Sequence, residues 1–205
     1  YGANVILARI RANKRDATKE ARRSNFDVAL GNNIDFSKIA RENNILFHTD
    51  AVQAIGNIKF KIKNIGVDML SLSGHKLGAP KGVGVLYLRE GIDLDNFLDG
   101  GEQERGRRAS TENLASIVGL ARAMEDAYNN IEDYSSYTRD LRDYTIEKLL
   151  NIDGIILNGP RENRLPGNIN ITLKNTKPQT MVQYLDMFDI CVSSGSACAA
   201  GSINP

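Results

Sequence analysis

The stretch VDMLSLSGHKLGAPKGVGVLYL, residues 67–88, constrains the fold more than any other. VDMLSLS (67–73) and VGVLYL (83–88) are short apolar runs bounded by glycine and proline, the pattern of buried strands. The first ends at Ser73 and Gly74 turns the chain. His75 and Lys76 then stand side by side before GAPKGVG leads into the second run. Buried strands need a layer packed on them, and the chain supplies helical patterns on both sides. DFSKIARENN predicts a helix with Phe36, Ile39 and Ala40 on one face and a stop near Asn43 or Asn44. ILFHT (45–49) predicts a further buried strand. TENLASIVGLARAMEDAYNN predicts a helix with Thr111 as its N-cap and Leu114, Ile117, Val118, Ala121 and Met124 along one face.

Toward the C-terminus a helix over about 135–151 is expected. Strands follow at GIIL (154–157) and NINITL (168–173), then a helix near 178–188 and a strand at ICVS (190–193). RANKRDATKEARR (11–23) reads as a solvated helix. Alternating helices and short apolar strands give an α/β or α+β chain. The expected organisation is a large domain over 1–130 and a smaller α+β domain over 131–205.

Composition removes several classes. The 205 residues are 41% hydrophobic and 25% charged, a globular balance able to form a sizeable core. Net charge is +1, so no basic face favours nucleic acid. No apolar run nears the roughly 20 residues of a membrane span. Two cysteines and two histidines make neither a disulfide framework nor a metal-ligand spacing, and a reducing cytoplasm is the default. The first residue is Tyr1 rather than Met, so the start is not taken as the native one.

The chemistry centres on three places. A lysine held at a strand exit by glycines is positioned, and when partly desolvated its amine can form a Schiff base with an aldehyde. A surface lysine in a Gly-rich hairpin is the plain alternative. ILFHTDAVQAIG ends a strand near Asp50, with Gln53 three residues on. Open α/β sheets bind ligands at such edges, and a carboxylate there can keep the ring nitrogen of pyridoxal phosphate protonated. Gln53 suits its phenolic oxygen, and Ser73 and His75 suit its phosphate; a cap or turn role for Asp50 is the plain alternative. Lastly, SSGSACAAGS (193–202) sets Cys198 among residues too small to pack, which favours a mobile nucleophile over a core thiol. Cys191, in DICVS, reads as core, and so does His48.

These motifs together resemble a known family. HTDAVQ with SLSGHKLGAPKGVGVLYL is similar to the cofactor core of class V aminotransferase-like enzymes, which are fold-type I pyridoxal phosphate enzymes. GGEQERGRRASTEN (100–113) narrows the resemblance to cysteine desulfurases. SSGSAC narrows it to the subgroup serving iron–sulfur cluster assembly or related sulfur transfer. The resemblance implies an α/β fold: a mainly parallel sheet with helices on both faces, plus the smaller domain. It implies that Lys76 holds the cofactor covalently, that Asp50 meets the ring nitrogen and Gln53 the phenolic oxygen, and that Ser73 and His75 bind the phosphate. Thr111 would reach the phosphate of a neighbouring subunit, which implies a homodimer. Cys198 would take sulfur from L-cysteine as a persulfide, release L-alanine, and pass the sulfur to an acceptor or scaffold protein. The Glu and Arg residues of GGEQERGRR would hold a loop at the subunit interface.

The chain also departs from the pattern. The family's Gly-Ala-Thr-Glu phosphate loop, its ring-stacking histidine and its Asn-Asn-Glu motif have no match, and Asn32 and Asn33 stand too close to Asp50 to fill the last role. The arginine that grips the substrate carboxylate would follow Pro205. Deleting central strands of a parallel sheet would expose bare edges, so the expectation is a sequence that omits segments of a longer protein. Cofactor loops of such a form would hold pyridoxal phosphate incompletely. Two other activities share parts of the pattern: a cysteine sulfinate or selenocysteine lyase, which need not use Cys198, and a non-catalytic scaffold, which would bind no cofactor.

Overall fold

The computed structural model describes residues 36–195. The helix expected over 11–23, Asn32 and Asn33, and Cys198 with most of its loop lie outside the described residues. The chain divides into two compact units between Thr138 and Arg139.

The first unit opens with α1 (Phe36–Glu42). The helix stops where expected: Asn43 Nδ2 donates to the Ile39 carbonyl at 2.8 Å, and Asn44 takes a left-handed φ of 53°. Phe36 and Ala40 face the core, but Ile39 is exposed, so the predicted stripe is narrower than its spacing suggested. β1 (His48–Asp50) follows, then the short α2 (Ile62–Ile65), β2 (Met69–Ser73), a 3₁₀ turn (Gly74–Leu77) and β3 (Gly84–Leu88). β2 is the central strand of a mixed sheet, parallel to β1 and antiparallel to β3. The register sets Asp50 opposite Ser71 and Ser73 opposite Gly84.

Alternation along β2 sorts its side chains between two faces. Leu70 and Leu72 join Phe47, Ala51, Val67, Ala79, Val83 and Leu120 in the core. Ser71 and Ser73 share the other face. The strand predicted over 45–49 begins three residues late. Its first amides are used elsewhere: Phe47 N donates to the Asp68 carboxylate at 2.8 Å instead of entering the ladder.

The 3₁₀ turn closes on Gly78, whose φ of 79° a side chain would disfavour. α3 (Leu114–Asn129) packs on this turn, where a Cβ at Gly119 would lie 3.1 Å from Pro80. Asn113, not Thr111, caps α3: its side chain accepts from Ser116 N at 3.3 Å. The predicted apolar face is also displaced. Leu114 and Val118 are 69% and 68% exposed, whereas Leu120, Ala123 and Met124 meet the core.

α4 (Ile131–Leu150) crosses the division between the units. The second unit continues with an antiparallel pair, β4 (Ile155–Leu157) and β5 (Ile171–Leu173), and α5 (Pro178–Asp186). Buried Arg164 holds the connection between β4 and β5, donating to the carbonyls of Asn158, Pro160 and Asn168. Burial lowers the pKa of this guanidinium; neighbouring Arg142 acts in the same direction, and Asp143 opposes both. The strand expected at 190–193 does not form, because no strand among the described residues pairs with it. Cys191 is accordingly exposed rather than core. Among the described residues no helix is long and apolar enough to cross a membrane.

Candidate active site

An open cleft of about 600 Å³ lies against β2 and β3 of the first unit's sheet. Asp50, Ser71 and Ser73 line it from the strands, and Arg105, Arg107 and Thr111 from the loop that precedes α3. Three of the residues singled out in the sequence (Asp50, Ser73 and Thr111) therefore share one cavity although they span 61 positions of chain.

Each is held by local geometry. Asp50 ends β1, and its Oδ1 accepts from Val52 N at 2.9 Å, an Asx-type turn that fixes the carboxylate. No hydrogen bond to the other oxygen is present among the described residues. Ser73 is buried at the end of β2, and its hydroxyl lies 2.7 Å from His75 Nδ1. His75 and Lys76 project from the exposed side of the 3₁₀ turn that follows directly. Gln53 is exposed on the turn after Asp50 and does not line the cleft; neither does Lys76. The structure thus gathers Asp50, Ser73 and Thr111, ties His75 to Ser73, and sets Lys76 three residues beyond Ser73.

Sequence reasoning missed four contributors. Ser71 lines the cleft because β2 alternates, a signal readable in LSLS. Arg105 and Arg107 line it too, and their guanidinium groups form no ion pair or hydrogen bond among the described residues. His48, half-buried, places Nε2 3.1 Å from Ser71 Oγ. Burial lowers its pKa below the usual 6.5, with Asp50 partly opposing the shift. Nothing in the local sequence announces that partnership across 23 residues.

The family described as aminotransferase class-V matches residues 21–204. The chain belongs to that family. Cysteine desulfurase IscS of Dictyoglomus turgidum is 44% identical over 172 residues, covering 83% of this chain and 44% of that relative. The structure of a NifS-like protein from Rickettsia africae superposes with a TM-score of 0.75 at 32% identity, covering 78% of this chain and 44% of the other. A structure described as SspA in complex with cysteine gives a TM-score of 0.61 at 33% identity, covering 82% and 46%. This class-V aminotransferase chain spans less than half the length of the relatives it matches. Its fold is that of the fold-type I pyridoxal phosphate enzymes, in a mixed-sheet portion.

The residues present fit the family's cofactor. A carboxylate with one oxygen free among the described residues suits a protonated ring nitrogen. The hydroxyls of Ser73 and Thr111, and two arginines without a partner among the described residues, suit a phosphate. The lysine of the adjoining turn suits an aldehyde.

Proposed function

We propose that this chain carries the cofactor-binding and sulfur-accepting parts of a pyridoxal-phosphate-dependent cysteine desulfurase that converts L-cysteine to L-alanine. The observation that carries the proposal is the cleft itself, in which Asp50 and Ser73 converge beside the turn bearing Lys76. Bound there, the cofactor supplies an electron-accepting ring. Asp50 holds the ring nitrogen's proton. Ser73, His75 and Thr111 hold the phosphate, and Gln53 donates to the phenolic oxygen. Thr111 serves a neighbouring copy, so the working unit is a homodimer. Lys76 anchors the cofactor in the resting protein and moves the proton at the substrate's Cα once released.

Sulfur leaves to Cys198. Its thiolate attacks the substrate sulfur, the carbon–sulfur bond breaks, and the former β-carbon takes a proton to give L-alanine. Cys198 keeps the sulfur as a persulfide, which an acceptor thiol or scaffold protein collects in the cytoplasm for cluster assembly or thiolation. A thiol with a pKa near 8.5 is a few per cent thiolate at neutral pH and already strongly nucleophilic. Domain roles follow: 1–130 contributes to the cofactor-binding part, and 131–205 to a smaller part with the cysteine loop.

The test is made on the full chain given pyridoxal phosphate and L-cysteine. We expect a visible absorbance band that Lys76→Ala abolishes, and one added sulfur on Cys198 by mass spectrometry. Cys198→Ala should lose both the adduct and most alanine formation. Undiminished alanine formation in Cys198→Ala would overturn the persulfide route in favour of a lyase. No band in any form would indicate a scaffold.

A further inference from the structure

In the β1–β2 pair His48 and Asp50 lie two residues apart and so share one face of β1. The parallel register sets Asp50 directly opposite Ser71, whose side chain rises from the same face. A hydroxyl beside a carboxylate oxygen that lacks a partner would ordinarily donate to it, since an ionised carboxylate accepts at both oxygens. Here Ser71 Oγ has another partner. Ser71 Oγ pairs diagonally with His48 Nε2 at 3.1 Å, and no Ser71–Asp50 hydrogen bond exists among the described residues. Among the described residues Asp50 accepts only at Oδ1, from Val52 N.

For Ser71 to donate to Nε2 the imidazole must be neutral, with its proton on Nδ1. Burial favours a neutral ring, and of its two neutral forms the one protonated on Nδ1 is the one this pairing requires. The half-buried ring then has a hydroxyl partner, and the carboxylate keeps one oxygen open to the cleft.

We propose that His48 is a positioning residue that draws the Ser71 hydroxyl away from Asp50 and so keeps one Asp50 oxygen open for the cofactor's cationic ring nitrogen. The role rests on the desulfurase reading of the cleft. Without His48, Ser71 turns to Asp50 and competes for that oxygen. The competition is removed if the hydroxyl is removed as well.

The test is a double-mutant cycle on the cofactor-free full chain, titrated with pyridoxal phosphate and followed by absorbance. His48→Phe should weaken binding about tenfold, the scale of one lost hydrogen bond to a charged group. Ser71→Ala alone should stay within about threefold of wild type, and His48→Phe with Ser71→Ala should return to that range. His48→Gln, which can still engage Ser71, should bind like wild type even if His48→Phe folds poorly. A double variant as weak as His48→Phe, or a His48→Phe variant as tight as wild type, overturns the proposal. Nitrogen NMR of the His48 ring in cofactor-free protein separates the His48 role from cofactor binding in the cleft. It should report Nε2 as an acceptor, a signature lost in Ser71→Ala. If that signature is absent, the His48 role falls whatever the cofactor does. If it is present but wild type takes up no pyridoxal phosphate, the reading of the cleft falls and the role falls with it.

Discussion

Asp50 and His48 share one face of a short strand end. Asp50 is fixed at the cleft by its own Asx turn. His48 is held neutral by burial, two residues away. The cost of that neutrality has a sign. Unfolded, His48 takes up a proton near its usual 6.5. Folded, it does so only below a lowered value. Between the two the unfolded chain binds more protons, so stability falls as pH drops through that window and carries no such cost above it. Thermal unfolding followed from about pH 7.5 to about pH 5 should therefore decline more steeply for wild type than for His48→Gln, which has no proton to gain. Parallel curves for the two proteins would show that the folded ring titrates like the unfolded one. Asp50, Ser73 and Thr111, singled out from local motifs, line one cleft, while Gln53, His75 and Lys76 do not. The Ser71–His48 bond was not legible in the sequence, because register between β1 and β2 is a tertiary fact.

At the scale of elements, β2 and β3 were legible to within two residues, since continuous apolar runs bounded by glycine leave little choice. Where partners decide, the sequence was a poorer guide. β1 shortened because the Asp68 side chain takes the Phe47 amide. ICVS has apolar strand character but no strand to pair with among the described residues. α3 was correctly expected as a helix, yet Thr111 and Asn113 are both competent caps, and only the first helical turn at Leu114 decides between them. That choice has a consequence, because Thr111 is left without a structural task in α3. Asn113→Ala should destabilise the chain by about 1 kcal/mol in urea unfolding, the usual worth of an N-cap. Thr111→Ala should leave the urea midpoint unmoved while weakening uptake of pyridoxal phosphate. If the two variants exchange these effects, the cap assignment and the proposed role of Thr111 are both wrong.

Across the whole molecule the unbalanced feature is apolar surface. α4 carries Tyr134, Tyr137, Leu141 and Tyr144 at intervals of three, four and three, the spacing of a seam that faces another element. All four are at least half exposed, at 55%, 65%, 50% and 62%. Single exposed apolar residues are ordinary, but four in register form a contiguous strip, and strips of that kind drive association in water. The tyrosines can keep their hydroxyls in solvent while their rings lose water, so contact along the strip costs no buried polar group. We therefore expect the 205-residue chain to associate reversibly, with a weight-average mass in sedimentation velocity that rises with concentration. Tyr137→Glu combined with Leu141→Lys places charge at the centre of the strip and should lower that mass at every concentration while leaving the helical content by circular dichroism intact. A chain that stays monomeric at high concentration, or a double variant that associates as strongly as wild type, would mean that the strip is solvated and that association, if present, uses another surface.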